Sequence, residues 1–584
     1  MLLTLSGLAV LGLELSNALA SRRNPLYHLY VLHVDTLSLE LAIVAVLIGG
    51  LIAISGRFRV GTSVGIALLT LLGGVNVLKV LYREEPLYPS DFAFISEAAL
   101  LTDSIRTYEV AALVSASVGA GAFVWLVTSR VHRPAVLMPA SRRNEMVLRV
   151  AGVLAAGGLA LASTLFNAPT PNPLRGVVEA VGTKWTPWSQ GQNYVRNGFV
   201  PGFLYNMPVA AMEEPDGYSE EEIERLVTSY ADLAEEMNRD RDASALSDHN
   251  VVIILAESFF DPLTVRGLSV AEDPIPHFRA LAQHYPSGTM RSVAYGGGTA
   301  HVEFEVLTGM SISEFAPQMQ TPYQSMVSRQ SSFPSLVSRL GETHTTLAIH
   351  PNTPHFYRRG DAFRAFGFDT SVFKDGMTAK GTLGDSKLIS DAAAYTDLVR
   401  HLRAEQRPVL AQIITMQNHT PYVDVYSDPI EASSTSATLD ASVVGGYLRG
   451  LKHADEALQQ LLTALTDLSE PTVVLFYGDH APPSVVPDAL WEAQLADDAR
   501  YHTPWLVWSN TNLSNASARE TPQKPTQLWN ALLTATNASV TPWEALLLDL
   551  EGQGGDNTMR AYRLLQYDAS IGERYGTQEM FSVP

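Results

Sequence analysis

The chain has 584 residues, no cysteine and a formal net charge of −20. Without cysteine, a disulfide framework, a zinc–thiolate site and a cysteine nucleophile are all excluded. The acidic balance argues against nucleic acid as a partner and against electrostatic adhesion to anionic lipid. A chain of this length exceeds one domain, and its apolar residues are concentrated in the first third.

The first third contains five apolar segments, each close to the ~20 residues that cross the hydrocarbon core of a bilayer. They are residues 2–20, 37–55, 60–78, 110–128 and 150–167. Glu14 and Glu40 are the only charged residues within them. We predict a transmembrane domain of five helices over residues 1–167, with Glu14 packed between helices and Glu40 at the interface.

Basic residues predict the orientation of these helices. The loop after the fourth segment carries Arg130, Arg133, Arg142, Arg143 and Arg149. By the positive-inside rule this loop is cytoplasmic, so the fifth helix runs outward. We therefore expect a multi-pass protein of the cell (plasma) membrane whose remaining residues lie outside the cytoplasm.

Residues 168–245 are predicted to form a connector. Its first part is rich in Pro, Gly, Asn and Trp, which is typical of irregular structure. Ser219 followed by Glu222 then matches a capping box, which predicts an amphipathic helix to about Arg239. Residues 427–438, rich in Ser and Ala, are predicted to be a flexible surface loop of the later domain.

Residues 246–584 are predicted to form an α/β domain with a parallel sheet. Short β-branched runs alternate there with longer helical stretches. The runs are 251–255, 289–294, 345–349, 409–415 and 472–477. Each precedes polar residues: Glu257 and Ser258, Gly296 to Thr299, His350 and Asn352, Asn418 and His419, Asp479 and His480. Because ligands bind at the carboxyl ends of such strands, we expect these side chains to meet in one site.

Thr299 follows three glycines and stands at the start of a predicted helix. Glycines let backbone N–H groups approach a ligand, and a helix N-terminus attracts anions, so this loop suits a phosphate. It is not a P-loop, because no Gly-Lys-Ser/Thr follows.

Glu257, Asp479, His480 and the Thr299 hydroxyl offer oxygen and nitrogen ligands without sulfur. Such a set suits Mn²⁺ or Zn²⁺, with Mg²⁺ less favoured because of the imidazole. Glu257 closes an apolar run, where an unpaired carboxylate is costly; a metal or an arginine partner would remove that cost. His502, before another short apolar run, is a further candidate for approaching this site.

Five motifs resemble those of the lipoteichoic acid synthase family, membrane phosphoglycerol transferases of the alkaline phosphatase and sulfatase superfamily. They are Ile254-Leu-Ala-Glu257-Ser-Phe, Gly-Gly-Thr299-x-x-x-Glu-Phe, His350 with Phe356-Tyr-Arg-Arg359, Asn418-His419-x-Pro-Tyr and Tyr477-Gly-Asp479-His480. The resemblance implies a multi-pass α-helical membrane domain followed by an extracytoplasmic α/β sulfatase-like domain with a largely parallel central sheet.

The resemblance also implies roles for single residues. Thr299 is the implied nucleophile, forming a covalent phosphoglycerol-threonine. The implied ligands of one metal, usually manganese, are Glu257, Thr299, Asp479 and His480. The implied substrate-binding residues are Arg359 and His419, with His350 beside them. Such residues fit the chemistry, because a guanidinium clamps phosphate and an imidazole can shuttle a proton.

The implied reaction takes phosphoglycerol from phosphatidylglycerol and passes it to a glycolipid, polymer or glycan. The best-known members have Lys before the threonine and Ser-Asp after it, where this chain has Gly298, Ala300 and His301. They have Trp-Asn-Arg where this chain has Tyr357-Arg358-Arg359. Arg358 or His301 could replace the missing lysine charge. These departures bear on the acceptor and the head group.

Three other functions fit the sequence less well than a phosphoglycerol transferase. Related phosphoethanolamine transferases usually show Gly-Glu-Ser/Thr-x-Arg and several disulfides, whereas this chain has Ala256-Glu-Ser-Phe and no cysteine. A sulfatase would need a Cys/Ser-x-Pro-x-Arg motif, which is absent. A non-catalytic scaffold should have lost a metal ligand or the nucleophile, and all are present. Glu303 and Glu305, just after the nucleophile, are expected to form salt bridges with residues one helical turn away.

Overall fold

The computed structural model describes most of the chain. The described residues are 1–20, 34–83, 86–89, 91–92, 107–131, 142–168, 170–186, 190–208, 211–316, 319, 322–434, 438–482, 485–496, 498–513, 519–552 and 554–583. They form two compact units, Met1–Ala210 and Ala211–Pro584. The predicted connector is thus divided: its residues up to 210 belong to the first unit and the rest to the second.

The first unit has five helices long and apolar enough to cross a membrane. They are Leu2–Ala20, Val34–Ser55, Phe58–Arg83, Thr107–Val131 and Arg142–Thr164. The last helix begins eight residues before the predicted segment, so Arg143 and Arg149 lie within it rather than in a loop. Arg149 Nε donates to Ala53 O at 3.0 Å, which satisfies a carbonyl at the end of the second helix. Arg133 lies outside the described residues.

Three short helices complete this unit: Pro173–Ala180, Gln190–Asn197 and Phe199–Tyr205. Asn172 caps the first, its side chain accepting from the amides of Leu174 and Arg175. A predicted irregular segment is therefore partly helical, because Asn and Pro at its start act as a cap and as a first helical residue.

Glu14 and Glu40 anchor the last of these helices. Glu14 Oε1 accepts from Phe199 N at 2.5 Å, and Glu40 Oε1 accepts from Val200 N at 2.8 Å. Gly198, with φ of +83°, makes room, since a Cβ there would lie 2.7 Å from Glu40 Oε1. Both glutamates are fully buried. Glu14 packs between helices as predicted, and Glu40 is buried as well; its position at the membrane interface stays a prediction.

The second unit begins with the predicted amphipathic helix, Glu220–Asn238. Ser219 caps it by accepting from Glu222 N. The Glu222 carboxylate pairs with Arg225 and Arg560 instead of completing the capping box. The remaining helices are Pro276–Leu281, Thr299–Thr308, Pro322–Ser325, Leu336–Leu340, Arg359–Phe366, Asp391–Ala404, Ala441–Thr466, Asp488–Glu492, Leu528–Thr536, Pro542–Gly552, Asp556–Ser570 and Thr577–Met580.

Ten strands are described in this unit. They are β1 Asn250–Ala256, β2 Leu268–Val270, β3 Ser287–Arg291, β4 Thr345–His350, β5 Thr370–Phe373, β6 Val409–Ile414, β7 Ala432–Ser434, β8 Thr472–Gly478, β9 His502–Ser509 and β10 Arg519–Gln523. Eight form one sheet in the order β10-β3-β9-β8-β1-β6-β4-β5. Only β9 runs antiparallel to its neighbours.

The centre of the sheet is the most buried part of the unit. Every residue of β1, β6 and β8 is buried, as expected for parallel strands covered on both faces. Helices Asp391–Ala404 and Ala441–Thr466 pack their apolar side chains on one face. The small β2–β7 pair lies apart, so the loop predicted at 427–438 contains a strand.

Candidate functional site

The site lies at the carboxyl edge of the sheet, where β1 and β8 end side by side. The two strands are parallel, with Ala256 opposite Gly478, so Glu257 and Asp479 emerge next to each other. Gly478 is required by this close approach, because a Cβ there would lie 1.8 Å from Phe259 O.

Four predicted metal ligands come together at this edge. One ligand atom each of Glu257, Asp479 and His480 lies within 4.8 Å of the others, and all three residues are buried. His480 Nε2 is 3.2 Å from Asp479 Oδ2 and 3.9 Å from Glu257 Oε1. Thr299 Oγ1 donates to Glu257 Oε2 at 3.3 Å. Residues far apart in sequence thus form one group of oxygen and nitrogen donors.

The hydrogen bonds of this group leave ligand atoms unsatisfied. Asp479 Oδ1 accepts from the backbone amides of Ser258 at 2.7 Å and His480 at 2.8 Å. Asp479 Oδ2 and His480 Nε2 lie 3.2 Å apart, but in the described part of the chain neither forms a hydrogen bond. Burial raises the pKa of Asp479 to about 6, while His480 acts in the opposite direction. Two buried carboxylates beside an imidazole, with Asp479 Oδ2 and His480 Nε2 left without hydrogen bonds, fit a divalent cation.

Thr299 is the first residue of its helix, as predicted. Gly296, Gly297 and Gly298 all have positive φ, which explains the triple glycine. Gly296 N donates to Ala481 O at 3.0 Å, and Gly298 N donates to Tyr357 Oη at 3.2 Å. Two glycine amides are therefore bonded within the protein, which leaves fewer for an anion than the sequence suggested.

Strained backbone borders the site. Ser258, Tyr357 and Arg358 have φ of +51°, +56° and +54°. Each such residue costs on the order of 1 kcal/mol and tends to mark a functional site. Ser258 Oγ donates to Glu257 Oε1 at 3.0 Å, so it orients a ligand. The sequence placed Ser258 among the strand-end side chains of the site but predicted no specific role for Ser258 or Tyr357; their positions beside motif residues were the available signal.

Arg359 is buried and bonded to a carboxylate. Its Nε and Nη2 donate to Glu303 Oε2 at 3.0 and 2.8 Å. Its Nη1 is 3.3 Å from His350 Nε2. The expectation that Glu303 pairs with a residue one helical turn away is wrong. Its buried side chain pairs instead with Arg359, which lies 56 residues later in the chain.

The two predicted substrate histidines differ in exposure. His350 is buried, and its Nδ1 is 3.3 Å from Ile414 O, so Nδ1 carries hydrogen and Nε2 accepts from Arg359. Burial, followed by the Arg359 charge, lowers the pKa of His350 well below its usual range. His419 is half-buried, and its Nδ1 is 2.9 Å from Thr420 O. Its positive charge would lower the pKa of His350 further, after burial and Arg359.

Three other sequence expectations have clear outcomes. Glu305 forms no salt bridge in the described residues; its Oε1 accepts from Ile312 N at 2.7 Å. His502 Nε2 lies 3.4 Å from Asp498 Oδ1, and His502 is not part of the metal-ligand group. Arg358 pairs with Asp361 at 2.8 Å.

The fold is a largely parallel α/β sheet, and at its carboxyl edge three buried residues that could hold a metal ion lie next to the Thr299 hydroxyl. Residues 249–538 match the model of the Sulfatase family. This stretch of the second unit is therefore similar to the Sulfatase family, and the predicted fold class is confirmed.

Individual relatives narrow the class. Streptococcus pyogenes phosphoglycerol transferase GacH, solved with sn-glycerol-1-phosphate, aligns with a TM-score of 0.59 and 27% identity over 64% of this chain and 100% of its own. Bacillus subtilis (strain 168) lipoteichoic acid synthase 1 is 27% identical over 29% of this chain and 25% of its length. A Rhizobium meliloti (strain 1021) protein named for cyclic beta-1,2-glucan modification is 26% identical over 87% of this chain and 82% of its length. The resemblance to lipoteichoic acid synthases is confirmed.

Proposed function

We propose that this chain is a membrane-anchored, metal-dependent phosphoglycerol transferase. It moves glycerophosphate from phosphatidylglycerol to a cell-envelope acceptor through a covalent intermediate on Thr299. The observation that carries this proposal is the buried group of Glu257, Asp479 and His480, with the Thr299 hydroxyl 3.3 Å from Glu257 Oε2. The likeness to a protein named as a phosphoglycerol transferase supports the transferred group.

Glu257, Thr299, Asp479 and His480 would hold one divalent ion, Mn²⁺ before Zn²⁺ or Mg²⁺. A bound ion would neutralise the carboxylates and favour deprotonation of the threonine hydroxyl. Ser258 supports this arrangement from the protein side, since its amide and hydroxyl bind one carboxylate each.

In the first half-reaction Thr299 Oγ1 attacks the phosphorus of the donor. An Oγ1–P bond forms, the P–O bond to diacylglycerol breaks, and Thr299 loses a proton while the leaving oxygen gains one. We assign delivery of that proton to His419 as the imidazolium: Nδ1–H stays bonded to Thr420 O, Nε2 gives its proton to the leaving oxygen, and the proton lost by Thr299 restores it. The N-terminus of the Thr299 helix favours the phosphate anion.

In the second half-reaction an acceptor hydroxyl attacks the same phosphorus. A bond forms between the acceptor oxygen and phosphorus, and the bond between Thr299 Oγ1 and phosphorus breaks. The acceptor hydroxyl loses its proton, and Thr299 Oγ1 regains one. The likeness to a protein named for glucan modification favours a glycan acceptor. The likeness to lipoteichoic acid synthase favours a glycolipid or growing polymer. Both kinds of acceptor are envelope molecules that are rich in hydroxyl groups.

Arg359 and His350 are proposed to act as one unit beneath the phosphate. Glu303 engages Nε and Nη2 of Arg359, and His350 faces its Nη1, so little of the guanidinium is left for a ligand. Replacing Arg359 by alanine would leave the Glu303 carboxylate uncompensated. A change in KM for that variant would therefore mix donor binding with stability.

We place the protein in the cell membrane with its catalytic unit outside the cytoplasm. Five apolar helices and the basic residues near the fourth and fifth support this placement. Tethering to the bilayer raises the local concentration of a lipid donor at the site. The principal alternative is transfer of phosphoethanolamine by the same chemistry, and a non-catalytic scaffold that binds head groups is a weaker one.

The test is to incubate the purified full-length protein with Mn²⁺ and either phosphatidylglycerol or phosphatidylethanolamine. Diacylglycerol release and the intact mass of the protein are followed together. We expect release from phosphatidylglycerol and a glycerophosphate adduct on Thr299. Thr299→Ala should lower turnover at least about 1000-fold without unfolding the domain. Thr299→Ser should keep a measurable adduct.

Thr396→Ala is the matched control, because Thr396 is exposed on helix Asp391–Ala404. It should keep wild-type turnover. Normal turnover in Thr299→Ala would remove the nucleophile assignment. Release from phosphatidylethanolamine alone would replace the proposal by its alternative, and metal binding without release or adduct would favour the scaffold.

A further inference from the structure

The two adjacent arginines of the predicted substrate motif are already neutralised. Arg359 pairs with Glu303 at 2.8 Å and Arg358 with Asp361 at 2.8 Å. Arg358 is thus not the free cation expected to replace the missing lysine. A phosphodiester carries one negative charge, and an unpaired guanidinium binds such an anion most strongly.

Arg500 is a guanidinium of that kind. It lies in the short 3₁₀ turn Ala499–Tyr501 directly before β9 and is half-buried. Within the described residues it forms no ion pair and donates no hydrogen bond. The Arg500 guanidinium lies over the ring of Tyr295, whose centroid is 5.6 Å from Arg500 Cζ. The nearby Asp498 pairs with Arg291 and His502 instead.

Tyr295 is a firm support for this arginine. Its hydroxyl accepts from Trp491 Nε1 at 3.0 Å, and its ring packs edge-on against Trp491 and Tyr501. Asp488 acts on the hydroxyl electrostatically but forms no ion pair with Arg500 in the described chain. The ring face of Tyr295 therefore positions the Arg500 guanidinium, and the N–H groups of Arg500 stay available to donate to an anion.

The Arg500 turn is tied to the metal-ligand strand end. Ser292 N donates to Tyr501 O at 2.7 Å, and Ser292 Oγ donates to Asp479 O at 2.5 Å. Tyr295 itself directly precedes the glycine loop that leads to Thr299, and Gly296 N donates to Ala481 O. Arg500 thus stands at the same edge of the sheet as the nucleophile.

We propose that Arg500, held on the face of Tyr295, binds a phosphate anion of the substrate at the rim of the site. This inference rests on the proposed function. The anion has two sources: the phosphodiester of the lipid donor, or a phosphoglycerol unit already present on the acceptor. In either case Arg500 is a specificity-determining residue that supplies charge the Thr299 loop lacks.

The test compares wild-type protein with Arg500→Gln and Arg500→Lys. Arg403→Gln is the matched control, because Arg403 is exposed and ends the helix that precedes β6, at the opposite edge of the sheet. Binding of sn-glycerol 1-phosphate and of neutral glycerol is measured by calorimetry on the Mn²⁺-loaded full chain. We expect Arg500→Gln to weaken glycerophosphate binding about tenfold, Arg500→Lys less, and the control not at all.

Two kinetic arms separate the sources. In the donor arm, a raised KM for phosphatidylglycerol with kcat within about twofold identifies the lipid phosphodiester. In the acceptor arm, preformed adduct is offered glycerol or glycerol phosphate, and loss of preference for the phosphorylated acceptor identifies the acceptor anion.

Equal binding constants and equal KM in both arms for wild type and Arg500→Gln would overturn this inference. Absence of diacylglycerol release from the wild type would instead overturn the proposed function, and the binding measurement would still decide the role of Arg500. A loss in Arg500→Gln that glycerol shares equally would show a structural effect and also count against charge recognition.

Discussion

Glu257 and Glu303 are both buried carboxylates in the second unit, and they differ in what balances their charge. Glu303 meets Arg359, which donates two hydrogen bonds to it. Glu257 meets Asp479 and His480, and no arginine or lysine pairs with either carboxylate in the described residues. A buried charge needs a counter-charge. The charge of Glu303 is balanced within the protein by Arg359, whereas we expect the charge of the Glu257 group to be balanced by a bound cation.

The largest expected difference between the two regions follows from Asp479→Asn. This change should remove bound Mn²⁺ and lower diacylglycerol release at least about 1000-fold, because a metal ligand is lost. The metal-free variant should be as stable as wild type or more so, since an uncompensated buried charge is gone. Metal content, turnover and denaturant unfolding are the measurements.

Asp455→Asn is its control. Asp455 is equally buried and also accepts two backbone amides, those of His277 and Phe278, but lies outside the metal group. It should keep metal and turnover. Metal retention by Asp479→Asn would break the contrast between the two regions.

Glu303→Gln should have the opposite signature. It leaves the Arg359 charge buried without a partner, which we expect to destabilise the domain by about 3–5 kcal/mol, with or without metal. Urea unfolding in the presence of EDTA measures this. The double variant Glu303→Gln, Arg359→Met should recover much of the loss. A single variant as stable as wild type would mean that the pair is not a structural unit.

Glu305 is expected to give the smallest change in stability. It illustrates a third way to bury a carboxyl group, which is to keep its proton. Burial raises its pKa from 4.5 to about 7. Between these values the unfolded chain releases the proton and the folded protein keeps it, so stability falls as pH rises from 4.5 to 7. The loss is on the order of 3 kcal/mol. Glu305→Gln should flatten stability over that window, measured by urea unfolding at each pH; an unchanged slope would contradict it.

Much of this architecture was predictable from sequence because each kind of element has its own pattern of apolar residues. The strands at 251–255 and 472–477 were nearly complete, since parallel central strands are continuous apolar runs. The run at 289–294 ends at Arg291 instead, where Ser292 turns its amide to Tyr501 O. Local composition does not reveal such a long-range bond.

The candidate site shows the same limit. Strand ends that share an edge brought Glu257, Asp479 and His480 together in the prediction, and helix-start chemistry added Thr299. The partner of Arg359 was missed because spacing along one helix cannot report a contact with another. The Tyr357 hydroxyl was missed because its left-handed backbone, which carries the ring to Gly298 N, leaves no mark in residue type.

The contact of Glu14 and Glu40 with the helix after Gly198 has a consequence for how the protein is made. The glutamates lie in helices Leu2–Ala20 and Val34–Ser55, whereas Phe199 and Val200 are synthesised about 160 residues after Glu40. Until then, two carboxyl groups wait within apolar helices without the amides that later bind them. The packing of these two helices is therefore completed by a segment outside the five long helices, and a nascent chain that ends before residue 198 lacks the amides that bind the two carboxylates.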